Sequence, residues 1–236
     1  GTKFKVLRDF LRENGFTANI SSAGRNNGPT KSGAFRLKAN FKNYFNKVNQ
    51  PINLIGHSFG GLIALYLARL YPNKVNAVFL LASPCQLAYN EIEANTAKGL
   101  GKLFRFIDKA KIFFEKEALL NWVGEQDRVP PLAIPIISFV ACKDEMVNPF
   151  SCEAPKDIDG LNRTFFVDCG HSDIKNHPAV MAVITHLYKH GLLAEIPEHI
   201  VDLGILERAN VVNPFVAQAV VYQPSHVSEG NALSLA

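Results

Sequence analysis

Four short, largely apolar runs punctuate the chain: residues 52–55 (INLI), 77–82 (AVFLLA), 135–141 (PIISFVA) and 164–167 (TFFV). Each has strand length and none alternates with polar residues, the pattern of strands covered on both faces in a parallel sheet. Between them the apolar positions move to helical spacing. Phe4, Leu7, Phe10 and Leu11 predict a helix over 4–11, closed by Asn14-Gly15 and followed by a strand over 16–20. The Gly-, Asn- and Ser-rich stretch 21–32 reads as a loop, and a helix is predicted over 34–48 with Phe35, Leu37, Phe41, Tyr44 and Phe45 turned inward. Lys38, Lys42 and Lys47 make its solvated face. Further helices are predicted over 62–70, stopped by Tyr71-Pro72, and over 178–190. Alternating strands and helices predict an α/β chain with a mostly parallel central sheet and helices on both faces, a three-layer sandwich.

Two stretches break the alternation. Residues 85–131 lose the strand signal and mix Leu103, Phe104, Phe106, Ile107, Phe113, Phe114 and Trp122 with lysines. The expectation is a helical cap inserted in the domain, apolar enough to line an acyl pocket or to touch a lipid surface peripherally. An ordinary helical excursion packed on the core is the alternative. From Gly191 onward apolar pieces mix with a polar Ser/Gly/Asn end, so residues 1–190 are expected to form the domain and 191–236 an extension of unknown role.

Chemistry concentrates at the first run. Gly56-His57-Ser58-Phe59-Gly60-Gly61 lies between a predicted strand and a predicted helix, the setting in which G-x-S-x-G forms a strained turn exposing a serine hydroxyl. Glycines at 56 and 60 leave room where the strand and helix backbones crowd, and the helix N-terminus aims amides at any negative charge forming beside Ser58. A serine between glycines in an ordinary turn is the plain alternative; the strand and helix on either side favour the elbow.

Composition narrows the field. At 236 residues, 47% hydrophobic and 19% charged, the chain suits one sizeable globular domain. A net charge of +4 without a concentrated Arg/Lys tract gives no nucleic-acid signature. No apolar run approaches the roughly 20 residues of a spanning helix, so a soluble protein is expected, the cytoplasm slightly favoured over other compartments. Cys85, Cys142, Cys152 and Cys169 lack C-x-x-C spacing, which predicts no metal site. Cys142 and Cys152 are near enough in sequence to be bridged, but buried reduced thiols are the simpler expectation.

A serine hydroxyl needs a base within hydrogen-bond reach and an acid to orient that base. His171 follows a predicted strand and Gly170 in a loop, which suits the base. His57 adjoins the nucleophile and is expected to point away from it, as local packing or a pocket wall. His177, His186, His190, His199 and His226 fall on or beside the last helix or in the tail, with surface placement expected. Asp144, just beyond the run 135–141, is favoured as acid, with Glu145 the nearest alternative; Asp168 and Asp173 flank the base and read as surface or loop-capping groups. Both polar clusters lie past strand carboxyl ends, where open α/β sheets place their ligands.

In these three motifs, in the order Ser, Asp, His, the chain resembles the α/β-hydrolases, specifically the lipase, esterase and lysophospholipase branch with a G-H-S-x-G-G elbow, over about residues 3–190. The resemblance implies Ser58 as nucleophile, His171 as base, Asp144 as orienting acid and the Phe59 amide as one oxyanion donor, with no cofactor and no metal. It implies hydrolysis of small-molecule carboxylic esters of apolar acids through an acyl-enzyme. Thioesterase or acyltransferase activity is the runner-up, and a non-catalytic binding module on a degenerate scaffold stands in another class. One departure stands out: the family's strand before the first helix, whose loop supplies a second oxyanion donor, is missing from the N-terminus, with Gly1-Thr2 its expected remnant and no second donor identifiable.

Overall fold

The computed structural model describes residues 4–20, 31–85, 134–154, 161–207 and 232–235, and for 31–38, 59, 66 and 232–235 the backbone alone. The predicted cap falls almost wholly in 86–133, outside the described residues. The chain runs α1 (Lys5–Glu13), β1 (Thr17–Ile20), α2 (Lys31–Val48), β2 (Ile52–His57), α3 (Phe59–Leu70), β3 (Val75–Leu81), β4 (Ile136–Ala141), β5 (Arg163–Val167), α4 (Pro178–His190), α5 (Glu198–Val201), β6 (Ile205–Glu207) and β7 (Ala232–Leu235). Among the described residues these strands form one seven-stranded sheet in the order β1-β7-β2-β3-β4-β5-β6. All neighbours are parallel except β5 and β6, which are antiparallel.

The period-two geometry of the strands sorts their side chains into two cores. Ala77, Phe79 and Leu81 of β3, with Ile137 and Phe139 of β4, pack against Leu7 and Leu11 of α1 and Val180, Ile184 and Leu187 of α4. The alternate residues, Val78 and Leu80 with Ile52, Leu54 and Ile136, meet Phe41 of α2 and Ala64, Leu65 and Ala68 of α3 on the opposite face. The largely apolar runs thus reflect a sheet sandwiched between two helical layers.

The tail departs from expectation. β6 and β7, both beyond residue 190, belong to the same sheet as the strands before it. β6 is an edge strand anchored by a fork: Arg163 donates from Nε to Glu207 Oε1 at 2.5 Å and from Nη2 to Oε2 at 2.6 Å. Its remaining Nη1 donates to the Leu192 and Ala194 carbonyls, each at 2.8 Å, tying the stretch after α4 to the sheet. β7 lies between β1 and β2, pairing Leu233 with Ala18 on one side and with Asn53 on the other. The sheet position beside the Ser58 strand is thus occupied by residues 232–235.

All four cysteines are free, so Cys142 and Cys152 are not bridged. Cys142 is exposed, against the expectation of burial, while Cys152 and Cys169 are buried. Burial pushes the Cys85 and Cys169 thiols up to about 12, away from the thiolate that would make them reactive. Among the described residues no helix is long and apolar enough to cross a membrane.

Candidate active site

Ser58 stands between the last residue of β2 and the first of α3 with φ 54° and ψ −126°, a left-handed backbone that a residue with a side chain rarely adopts. Backbone contacts hold it there. Its N–H donates to the Leu81 carbonyl at 2.9 Å, extending the β2–β3 ladder one residue past the strand, and its carbonyl accepts from Gly61 N–H at 3.1 Å. A Cβ on Gly56 would overlap Gly61 Cα and the Gly60 carbonyl; one on Gly61 would overlap the Ser83 side chain. Close approach therefore occurs at Gly56 and at Gly61, and Gly60 meets Gly56 through its carbonyl. Phe59 opens α3, which puts its amide in the first turn beside Ser58.

Ser83 lies just past the apolar run 77–82. It is fully buried behind the elbow, its hydroxyl shared between the Gly56 carbonyl at 3.3 Å and the Leu81 carbonyl at 3.2 Å. The residue before it, Ala82, also has positive φ, 46°, so β3 ends in a strained turn alongside that of β2. No motif in the sequence announces this support.

Asp144 and His171 come together because β4 and β5 are parallel neighbours and their pairing continues into the loops. Cys142 N–H donates to Val167 O at 2.9 Å and Lys143 N–H to Cys169 O at 3.0 Å. The two side chains then meet, His171 Nδ1 to Asp144 Oδ2 at 2.6 Å, with the Asp144 side chain at 0% exposure and that of His171 at 7%. Asp144 Oδ1 accepts from Met146 N–H and Val147 N–H, each at 2.8 Å, so both carboxylate oxygens are engaged. With Nδ1–H committed to the carboxylate, the neutral imidazole keeps its lone pair on Nε2, the tautomer a general base requires.

The other candidates stand elsewhere. Glu145 and Asp173 are exposed, and Asp168 pairs in solvent with Lys143 Nζ at 2.8 Å. His186 is turned to the Glu195 carbonyl at 2.8 Å; desolvation lowers its pKa. His177 caps α4, His190 ends it, His199 lies on α5, and His226 lies outside the described residues. His57, expected as local packing or a pocket wall, packs against the His171 loop: its ring lies 4.8 Å from that of His171, and Nε2 is 2.8 Å from the His171 carbonyl.

A mostly parallel α/β sandwich with a strained serine turn after one strand and a buried Asp–His pair after two others defines a recognisable class. The family described as alpha/beta hydrolase fold matches residues 47–109. An α/β-hydrolase enzyme from the metagenome of lagoon sediments at Mar Chica, Morocco, superposes with a TM-score of 0.50 at 19% identity, covering 80% of this chain and 84% of that one. A thermophilic esterase from Thermogutta terrifontis gives a TM-score of 0.50 at 18% identity, with 80% and 85% covered. The chain therefore has the α/β-hydrolase fold. In sequence it is 41% identical over 59 residues to a pimeloyl-[acyl-carrier protein] methyl ester esterase of Neisseria meningitidis, 24% of this chain and 23% of that protein. The chain thus spans about a quarter of the length of the curated relatives it matches.

Proposed function

We propose that the protein is a serine hydrolase of carboxylic esters with apolar acyl groups. The observation that carries this reading is the buried 2.6 Å contact between His171 Nδ1 and Asp144 Oδ2, formed at the same sheet edge as the strained Ser58 turn. The esterase names borne by its relatives support the ester class, and the short span matched carries no particular acyl group over to this chain.

In the proposed reaction Ser58 Oγ attacks the ester carbonyl carbon as His171 Nε2 takes the hydroxyl proton. The carbonyl oxygen gains negative charge beside the Phe59 amide at the start of α3. Collapse of this intermediate breaks the bond to the alcohol oxygen, which leaves with the proton from His171. Water then attacks the acyl-enzyme with the same base, releasing the acid and restoring Ser58. Asp144 holds the ring in its working tautomer and balances the imidazolium that forms transiently.

The test is hydrolysis of p-nitrophenyl butyrate and octanoate by the wild type and by Ser58→Ala, with fluorophosphonate labelling alongside. The expected outcome is turnover and labelling by the wild type and loss of both in the variant. Equal rates from the two would sink the serine mechanism.

A further inference from the structure

His57 is the residue immediately before Ser58, and its side chain reaches the loop that carries His171. A carbonyl oxygen can only accept, so the 2.8 Å contact is a hydrogen bond donated by His57 Nε2–H to His171 O, which also fixes the His57 tautomer. The ring is partly buried, tilted 49° against His171, with the Phe4 ring edge-on 6.4 Å away.

We infer that His57 is a positioning residue for His171, setting the distance between nucleophile and base from the residue next to the nucleophile. The inference rests on the serine-hydrolase reading and deepens it. Asp144 grips the imidazole at Nδ1, which fixes the rotation and tautomer of the ring, whereas His57 grips the backbone carbonyl, which fixes where the loop stands. The two restraints act on different degrees of freedom. Because β2 already holds Ser58, the bond runs from one rigid strand end directly to the loop of the base, bypassing β3 and β4, which separate β2 from β5 in the sheet. A displacement of about 1 Å between reacting groups can cost on the order of a hundredfold in rate, so one hydrogen bond at this position matters to turnover more than to stability.

The side-chain amide of glutamine carries its nitrogen the same number of bonds from Cα as Nε2 of histidine, so His57→Gln keeps a donor at similar reach while His57→Leu removes it. In the full-length protein, His57→Leu is expected to lower kcat on p-nitrophenyl butyrate about 10- to 100-fold with KM within about twofold, and His57→Gln to recover most of that loss. Wild-type kcat in the leucine variant, or equal impairment of both variants, would overturn the role. A second readout does not depend on activity: nitrogen-edited NMR of the wild type is expected to show a protected imidazole N–H at His57 Nε2 beside that at His171 Nδ1. In His57→Gln the first is lost and the second stays. Rapid solvent exchange at His57 Nε2 would refute the bond even if no ester is turned over, whereas failure of the wild type to label with fluorophosphonate counts against the serine reading alone.

Discussion

Ser58 and His171, the proposed nucleophile and base, are held by opposite means. At the elbow the backbone does everything: a ladder bond from Ser58 N–H to Leu81, a positive φ, and two glycines so close that neither tolerates a Cβ. At the acid–base pair the side chains do the work, with both Asp144 oxygens and both the ring and the carbonyl of His171 hydrogen-bonded. Backbone strain survives only where its surroundings over-determine it, so damage to the elbow spreads into the fold. Side-chain bonds at a loop can be cut with the sheet left standing.

The sharpest break of this contrast is Gly56→Ala. Its Cβ would meet backbone atoms that cannot rotate away, so strand and helix must part; the expected cost is about 3 kcal/mol or more, read as a lowered Tm together with loss of fluorophosphonate labelling. Asp144→Asn should leave the Tm near wild type, since its loop amides keep an oxygen to donate to, yet lower kcat by roughly 10³- to 10⁴-fold, because the amide no longer enforces the working tautomer of His171. An Asn variant with a Tm as damaged as that of Gly56→Ala would erase the distinction between the two regions. The smallest effect is expected at Asp168→Asn. That carboxylate also follows β5, but it sits 67% exposed against Lys143, and neither Tm nor kcat should move measurably.

The parts of the fold legible in the sequence were those whose burial is two-sided. The runs behind β2, β3, β4 and β5 read as strands because both faces of the sheet are covered, and α4 matched its predicted bounds of 178–190 because Pro178 opens it and Gly191, with φ 102°, closes it. β6 and β7 were not legible. β6 is three residues long with Leu206 at 69% exposure, and its place rests on one buried residue, Ile205, and on the Arg163–Glu207 fork, too little for a strand pattern to show. β7 is four residues, ALSL, in a polar stretch, and only its pairing partners, distant in sequence, make it a strand. At the site, strand-end position singled out Asp144 and His171 for attention, whereas Ser83 and the reach of His57 depend on which loops become neighbours, which spacing along the chain does not encode.

The position of β7 also has a consequence in time. Among the described residues β7 is the strand that links β1 to the rest of the sheet, and residues 232–235 follow β1 by more than two hundred residues. Pairings so distant close slowly. At typical synthesis speeds of about 5–20 residues per second the edge of β2 that β7 covers waits roughly 10 to 40 seconds after it is made. For that interval the side of β2 that β7 covers is an open edge on the nascent chain, and an open edge is where a foreign strand can pair first.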